Sequence, residues 1–157
     1  KKLSAKQREK AYALLHESTA RIGVGIASAQ EIDQINILQA SLLAMQRAVE
    51  ECINRSEIEL DFLLVDGKFK VPLECAQLAL TKGESKSASI AAASIIAKVT
   101  RDSLMAEYHQ QYPVYNLQQH KGYPTKAHRA AIAEHGPSPI HRKSFKGVRE
   151  FLPEEEG

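Results

Sequence analysis

Seven consecutive residues, Asp61-Phe62-Leu63-Leu64-Val65-Asp66-Gly67, constrain the fold more than any others. Both alternating faces in the middle of that run are apolar, the pattern of a central strand covered on two sides. Helices are expected before and after it, and strands alternating with helices place the chain in the α/β class. The run ends in a carboxylate, and in α/β sheets ligand sites gather at the carboxyl ends of strands. Asp66 therefore stands where chemistry is expected. Asp-Gly is also a common turn pair, and position alone leaves both readings open.

The remaining elements follow from periodicity and caps. Leu3–Glu17 reads as a helix, with Ser4 and Gln7 at capping-box spacing. Arg21–Ala27 alternates apolar residues with glycines and is expected to be a short strand. Ser28 is placed to cap a helical turn through Ile32, and Asn36–Glu51 is an amphipathic helix. Leu78–Lys82 is a second strand candidate. Ser87 or Ser89 caps a long helix that Pro113 stops near Tyr112. A loop with Gly122 and Pro124 leads to a helix over Thr125–Glu134, and Arg142–Phe151 forms a last helix.

A membrane span needs about 20 apolar residues, and the longest uncharged runs, Gln34–Gln46 and Tyr108–His120, fall short of that. The two cysteines, Cys52 and Cys75, make neither a disulfide framework nor a CxxC motif, so a reducing, cytoplasmic setting is expected. Net charge is only +2, but its distribution is uneven. From Leu117 to Glu150 seven lysines and arginines face two glutamates, an excess suited either to a polyanion or to an ordinary solvated surface.

Asp102 is the second carboxylate of interest. At helical spacing its surface neighbours are Ala91, Ile95, Lys98, Val99, Met105 and Ala106. A carboxylate in such a stripe needs a partner if buried: either Lys98 or Arg101, or a bound cation. Oxygen-only ligands such as Asp66 and Asp102 favour Mg²⁺ or Mn²⁺, and two carboxylates sharing such ions would lie about 4–8 Å apart. His120-Lys121-Gly122-Tyr123 sets an aromatic ring among basic side chains, placed either to pack on a nucleotide or to anchor its loop. Ser85-Lys86-Ser87 with Ser89 precedes the long helix, where free amides and Lys86 would suit a phosphate if Lys86 is more than a solvated charge. Gly23-Val24-Gly25 lacks the remaining features of a phosphate loop, and the six histidines, without an HExxH pattern, are expected mostly at the surface.

These residues resemble a family. Leu64-Val65-Asp66-Gly67 is similar to the third metal-binding carboxylate motif of ribonuclease HII. Ser89-Ile90-Ala91-Ala92-Ala93-Ser94-Ile95-Ile96-Ala97-Lys98-Val99-Thr100-Arg101-Asp102 resembles the longer motif that carries the fourth. His120-Lys121-Gly122-Tyr123 with Thr125 resembles the loop whose tyrosine packs on the sugar beside the cleaved junction. Lys1-Lys2-Leu3-Ser4, Ile35-Asn36-Ile37-Leu38-Gln39-Ala40 and His141-Arg142-Lys143-Ser144-Phe145 also match, so the resemblance runs from Lys1 to about Val148.

The resemblance implies a ribonuclease H-like fold, a mixed sheet flanked by helices with a helical C-terminal part. Residues 1–150 would form the catalytic domain and 151–157 an acidic tail. It implies a metal-dependent endonuclease, with Mg²⁺ or Mn²⁺ on Asp66 and Asp102, acting on RNA in RNA/DNA hybrids or on duplex DNA with embedded ribonucleotides. The cut would fall 5′ of a ribonucleotide, leaving 3′-hydroxyl and 5′-phosphate ends. Tyr123, Lys121, Lys86, Ser89, Lys2 and Asn36 would touch the substrate. The sequence departs from the family in three places. No residues match its opening Asp-Glu-Ala-Gly-Arg-Gly motif, Glu84 stands where aspartate is usual, and Asn116 where glycine is usual. The expectation is therefore an N-terminally truncated chain, poor in catalysis alone and open to pairing with the missing segment. A nucleic-acid-binding remnant and a structural protein on the same scaffold are the competing readings.

Overall fold

A computed structural model describes residues 3–57 and 59–152. Lys2 and the acidic stretch Glu154-Glu155-Glu156 lie outside them. The architecture is α/β, as expected. In chain order it consists of α1 (Ala5–Glu17), α2 (Ala29–Ser56), β1 (Leu63–Asp66), β2 (Gln77–Leu80), α3 (Ala88–Gln111), α4 (Leu117–His120) and α5 (Lys126–His135), with single 3-10 turns at Gly83–Ser85, Pro113–Tyr115 and Arg149–Phe151. The chain forms two compact units, Lys1–Ala27 with Leu38–Val99 and Ser28–Ile37 with Thr100–Gly157.

In the first unit α1 starts on the expected capping box: Ser4 Oγ accepts the Gln7 N–H, and Gln7 Oε1 accepts the Ser4 N–H. β1 and β2 pair in parallel, Leu64 opposite Leu78 and Asp66 opposite Leu80. The connection between them is held by Gln77, whose amide bonds Val71 through both N–H and C=O and reaches the Leu73 carbonyl. Val65 is buried at 3% exposure, but Leu64 and Leu78 on the other face are 37% and 48% exposed. β1 was expected to be covered on both faces. Within its unit, among the described residues, one face is covered, because no helix packs over the Leu64–Leu78 pair.

Arg21–Ala27 is not a strand. No neighbouring strand among the described residues offers it a ladder, and α2 satisfies its backbone instead: Glu51 accepts the Val24 N–H and Arg47 donates to the Ile26 carbonyl at 2.7 Å. The glycines permit this approach. A Cβ on Gly25 would lie 1.9 Å from the Ala44 carbonyl oxygen, and one on Gly23 2.0 Å from that of Ala48.

The second unit has its own core of Tyr115, Leu117, Ile132 and Val148, with Tyr108, Tyr112, Ala131 and Ile140 packed on it. α5 is capped by Thr125, whose hydroxyl accepts the His128 N–H. The helix expected over Arg142–Phe151 is absent. Gly147 sits at φ +94°, outside the helical region, so turns replace the helix, and Asp33 accepts the N–H groups of Lys143 and Ser144 at 2.7 and 2.9 Å. Residue 36 interrupts α2: Asn36 has φ 69° and ψ 165°, a backbone region that costs a side-chain-bearing residue on the order of 1–3 kcal/mol.

Gly25→Ala should destabilise the protein by about 1–3 kcal/mol, the cost of forcing a methyl group against close-packed backbone. Urea unfolding would read this as a lower midpoint, and an unchanged midpoint would contradict the close approach.

Candidate active site

The first unit places Asp66 at the last position of β1. Its Oδ1 accepts the Gly83 N–H at 2.7 Å, from the start of the turn that follows β2. Gly83 is buried, and a Cβ there would meet Ile90 Cδ1 at 2.6 Å and Asp66 Oδ1 at 3.1 Å. A side chain at this position would crowd Ile90 and the carboxylate that the turn holds. Nothing in the composition of Thr81-Lys82-Gly83 marked this residue, because its role depends on strand pairing. A carboxylate has about four lone-pair positions, so one hydrogen bond aims Asp66 and leaves capacity for a cation. The same turn continues into Lys86, whose N–H bonds the Gly83 carbonyl. Of the two candidate caps for α3, Ser87 takes the role by accepting the Ile90 N–H, and Ser89 lies exposed in the first helical turn. Lys86 is exposed as well.

The second unit holds Asp102, half-buried on α3, and the loop carrying Lys121 and Tyr123. The chain reverses through Lys121 at φ 51° and Gly122 at φ 78°. It rests on the two α3 residues nearest this loop, Arg101 and Met105. Arg101 Nη2 donates to the Lys121 carbonyl at 3.4 Å, and a Cβ on Gly122 would lie 3.3 Å from Met105 Sδ. Arg101 immediately precedes Asp102, so the aromatic, basic loop sits beside the stretch of helix that carries the carboxylate. The Tyr123 ring is 57% exposed, a placement open to a ligand rather than a core anchor. Arg142 adds further positive charge to this unit and stacks over Phe145 at 4.3 Å. Burial and the nearby Arg101 pull its pKa down, while Asp33 pulls it up. Burial pushes the Asp33 carboxyl up, but hydrogen bonds from Ser144 and Lys143 and the charge of Arg142 outweigh it and hold Asp33 low. Asn36 is exposed at its strained position in the same unit.

Asp66 and Asp102 therefore belong to different units. Among the described residues no group of three or more His, Cys, Asp or Glu side chains comes together as a metal site. Each aspartate supplies the hard oxygen ligand that a magnesium-like ion takes, since such an ion commonly uses one or two carboxylates and fills its shell with water and substrate phosphates.

The histidines correct the expectation of surface positions. His120, His128 and His141 are 8%, 6% and 8% exposed and lie together. A neutral imidazole is buried at little cost when both nitrogens are paired, one donating and one accepting, and here they are. His128 Nδ1 contacts the Tyr123 carbonyl at 3.0 Å, and its Nε2 lies 3.0 Å from His141 Nε2. His141 Nδ1 accepts from the Ser138 N–H and hydroxyl at 3.1 and 2.7 Å. No periodicity announces such a cluster, since its members come from α4, α5 and a turn. Burial, then the charge of His128, pushes His141 down to about 4, and burial lowers His128 as well.

The profile of a family described as Ribonuclease HII matches residues 1–148. A protein named Ribonuclease HII from Desulfotalea psychrophila is 58% identical over 96% of this chain and 66% of its own length. Its namesake from Geobacter sulfurreducens is 56% identical over 98% of the chain and 69% of its own length. A third, from Bacillus licheniformis, is 49% identical over 95% of the chain and 56% of its own length. The chain thus spans roughly two thirds of the length of the first two relatives.

The histidine cluster sets a pH dependence. A histidine whose folded pKa lies below its ordinary 6.5 stabilises fully above that value, and the contribution is lost as pH falls toward about 4 for His141. Each unit of acidification in that window should cost up to about 1.4 kcal/mol per such group. Urea midpoints should be level from pH 8 to 7 and fall between pH 6.5 and 5, where surface carboxylates do not yet titrate. A midpoint that holds to pH 5 would contradict neutral burial.

Proposed function

The chain belongs to the ribonuclease HII family, and we propose from this that the intact protein is a metal-dependent endoribonuclease acting on RNA in RNA/DNA duplexes, with Asp66 and Asp102 as its carboxylates. The observation that carries the reading is the Tyr123 loop seated on Arg101 and Met105, on the stretch of α3 that carries Asp102. A carboxylate, an exposed aromatic ring and basic side chains in one neighbourhood suit a phosphodiester and its sugar. Asp66, aimed by Gly83, and Asp102 would each offer a carboxylate oxygen to a divalent cation.

The chemistry supplied by bound Mg²⁺ or Mn²⁺ is activation of the attacking water and stabilisation of the leaving oxygen. The chain's own residues bind and orient. Tyr123 would pack against the sugar at the cleaved junction. Lys121, Lys86 and Ser89 would contact phosphates, and Asn36 would also touch the substrate, as would Lys2, which lies outside the described residues. The cut would fall on the 5′ side of the ribonucleotide and leave 3′-hydroxyl and 5′-phosphate ends. The absence of a membrane-spanning helix among the described residues is compatible with a cytoplasmic setting. A nucleic-acid-binding remnant without cleavage is the weaker reading, because both resembling carboxylates are present.

A duplex containing one ribonucleotide, incubated with the intact protein and Mn²⁺, tests this directly. Asp102→Asn and Asp66→Asn should each lower cleavage at least about a hundredfold, consistent with loss of a ligand that positions the reaction. Tyr123→Ala should lower junction cleavage about tenfold or more while changing duplex affinity much less. Full activity in either Asn variant would remove that carboxylate from the site.

A further inference from the structure

We propose that His128, itself held by His141, is a positioning residue that fixes the Tyr123 peptide and so sets the place of the tyrosine ring. This rests on the reading of Tyr123 as the ring that packs at the cleaved junction.

The hydrogen-bond chain admits one neutral assignment. The Tyr123 carbonyl can only accept, so His128 donates from Nδ1. Its Nε2 must then accept, which makes His141 Nε2 the donor across their 3.0 Å contact. His141 Nδ1 is left to accept, and Ser138 supplies the protons. The other side of the Tyr123 peptide is held too: its N–H donates to the His120 carbonyl at 2.9 Å. His120 in turn stacks on His128 with ring centres 4.2 Å apart and bonds the Tyr115 carbonyl through Nε2 at 2.7 Å. Residue 123 is thus held at its N–H by the His120 carbonyl and at its C=O by His128 together with the Thr125 N–H at 2.8 Å, while the residue itself is exposed. Packing alone would be served by leucine or phenylalanine at these positions. Only imidazole donates at its δ position and accepts at its ε position at once, and both atoms are used.

Two substitutions separate positioning from stability. Asparagine at 128 keeps a donor near the Nδ1 position and loses the contact to His141. Glutamine keeps a polar group near Nε2 for His141 and loses the donor to Tyr123. Activity should therefore run opposite to thermal stability. His128→Asn should melt lower yet cleave the junction within about threefold of the unsubstituted protein. His128→Gln should melt higher than Asn yet lose roughly ten- to a hundredfold in kcat, the scale of an ångström-sized misplacement. Amide hydrogen exchange at Tyr123 and Thr125 should quicken in the Gln variant alone. In a Tyr123→Ala background the Gln substitution should cost nothing further, because coupled residues are non-additive.

Activity that follows melting temperature, or a His128→Gln loss undiminished by Tyr123→Ala, overturns the positioning role. If Tyr123→Ala is itself silent, the tyrosine reading has failed and takes this inference with it. If Tyr123→Ala is damaging and His128→Gln is not, the inference alone has failed.

Discussion

A backbone N–H or C=O outside a helix or ladder must still find a partner, and in this chain charged and polar side chains provide it wherever the chain is irregular. Glu51 and Arg47 hold the extended segment around Val24 and Ile26. Gln77 holds the connection between the two strands. Asp33 gathers the turn at Lys143 and Ser144. At the two places where chemistry is proposed the same device recurs: Asp66 takes the Gly83 N–H, and His128 holds the Tyr123 carbonyl. Fixing a side chain through a neighbour's backbone confines both partners. That is how a short strand end and a surface loop acquire a fixed geometry.

The electrostatics of the two units differ in kind. Around Asp66 a single neutral N–H aims a carboxylate without neutralising it, which leaves its charge for a cation. Around Tyr123 positive side chains at Arg101, Lys121 and Arg142 stand over a buried cluster kept free of charge. Burial lowers the pKa of His128 and His141 and favours their neutral forms, and neutrality lets the two share a proton between facing nitrogens. Were both protonated, two donors would face each other. The positive face that a polyanion would meet and the uncharged support beneath the loop therefore depend on opposite protonation behaviour in neighbouring basic residues.

The regular elements were legible in the sequence because their signals are local. The Ser4–Gln7 capping box, the apolar run ending at Asp66, Pro113 after α3 and Thr125 before α5 each sit within a few residues of the feature they set. The misreadings came from partners distant in sequence. Arg21–Ala27 has the alternation of a strand, but its glycines serve contact with α2. Arg142–Phe151 has helical composition, but Asp33, 110 residues from Lys143, takes its N–H groups. The buried histidines could be found only by bringing three elements together. Asp66, Asp102 and Tyr123 were legible as candidates because each breaks a local pattern: a charge ending an apolar strand, a charge in an apolar stripe, an exposed ring among cations. Gly83 breaks no pattern, and its part in holding Asp66 needed the fold.

The proposal to test is that Asp66 and Asp102 are each ligands of a divalent cation. The most direct measurement is a crystal structure of the intact protein with Mn²⁺, read from the anomalous signal. The expected result is bound manganese within about 2.0–2.6 Å of a carboxylate oxygen of Asp66 and of Asp102, the range for such hard-cation ligands. A peak bound by one of them alone, with Asp102 paired instead to Lys98 or Arg101, would contradict it.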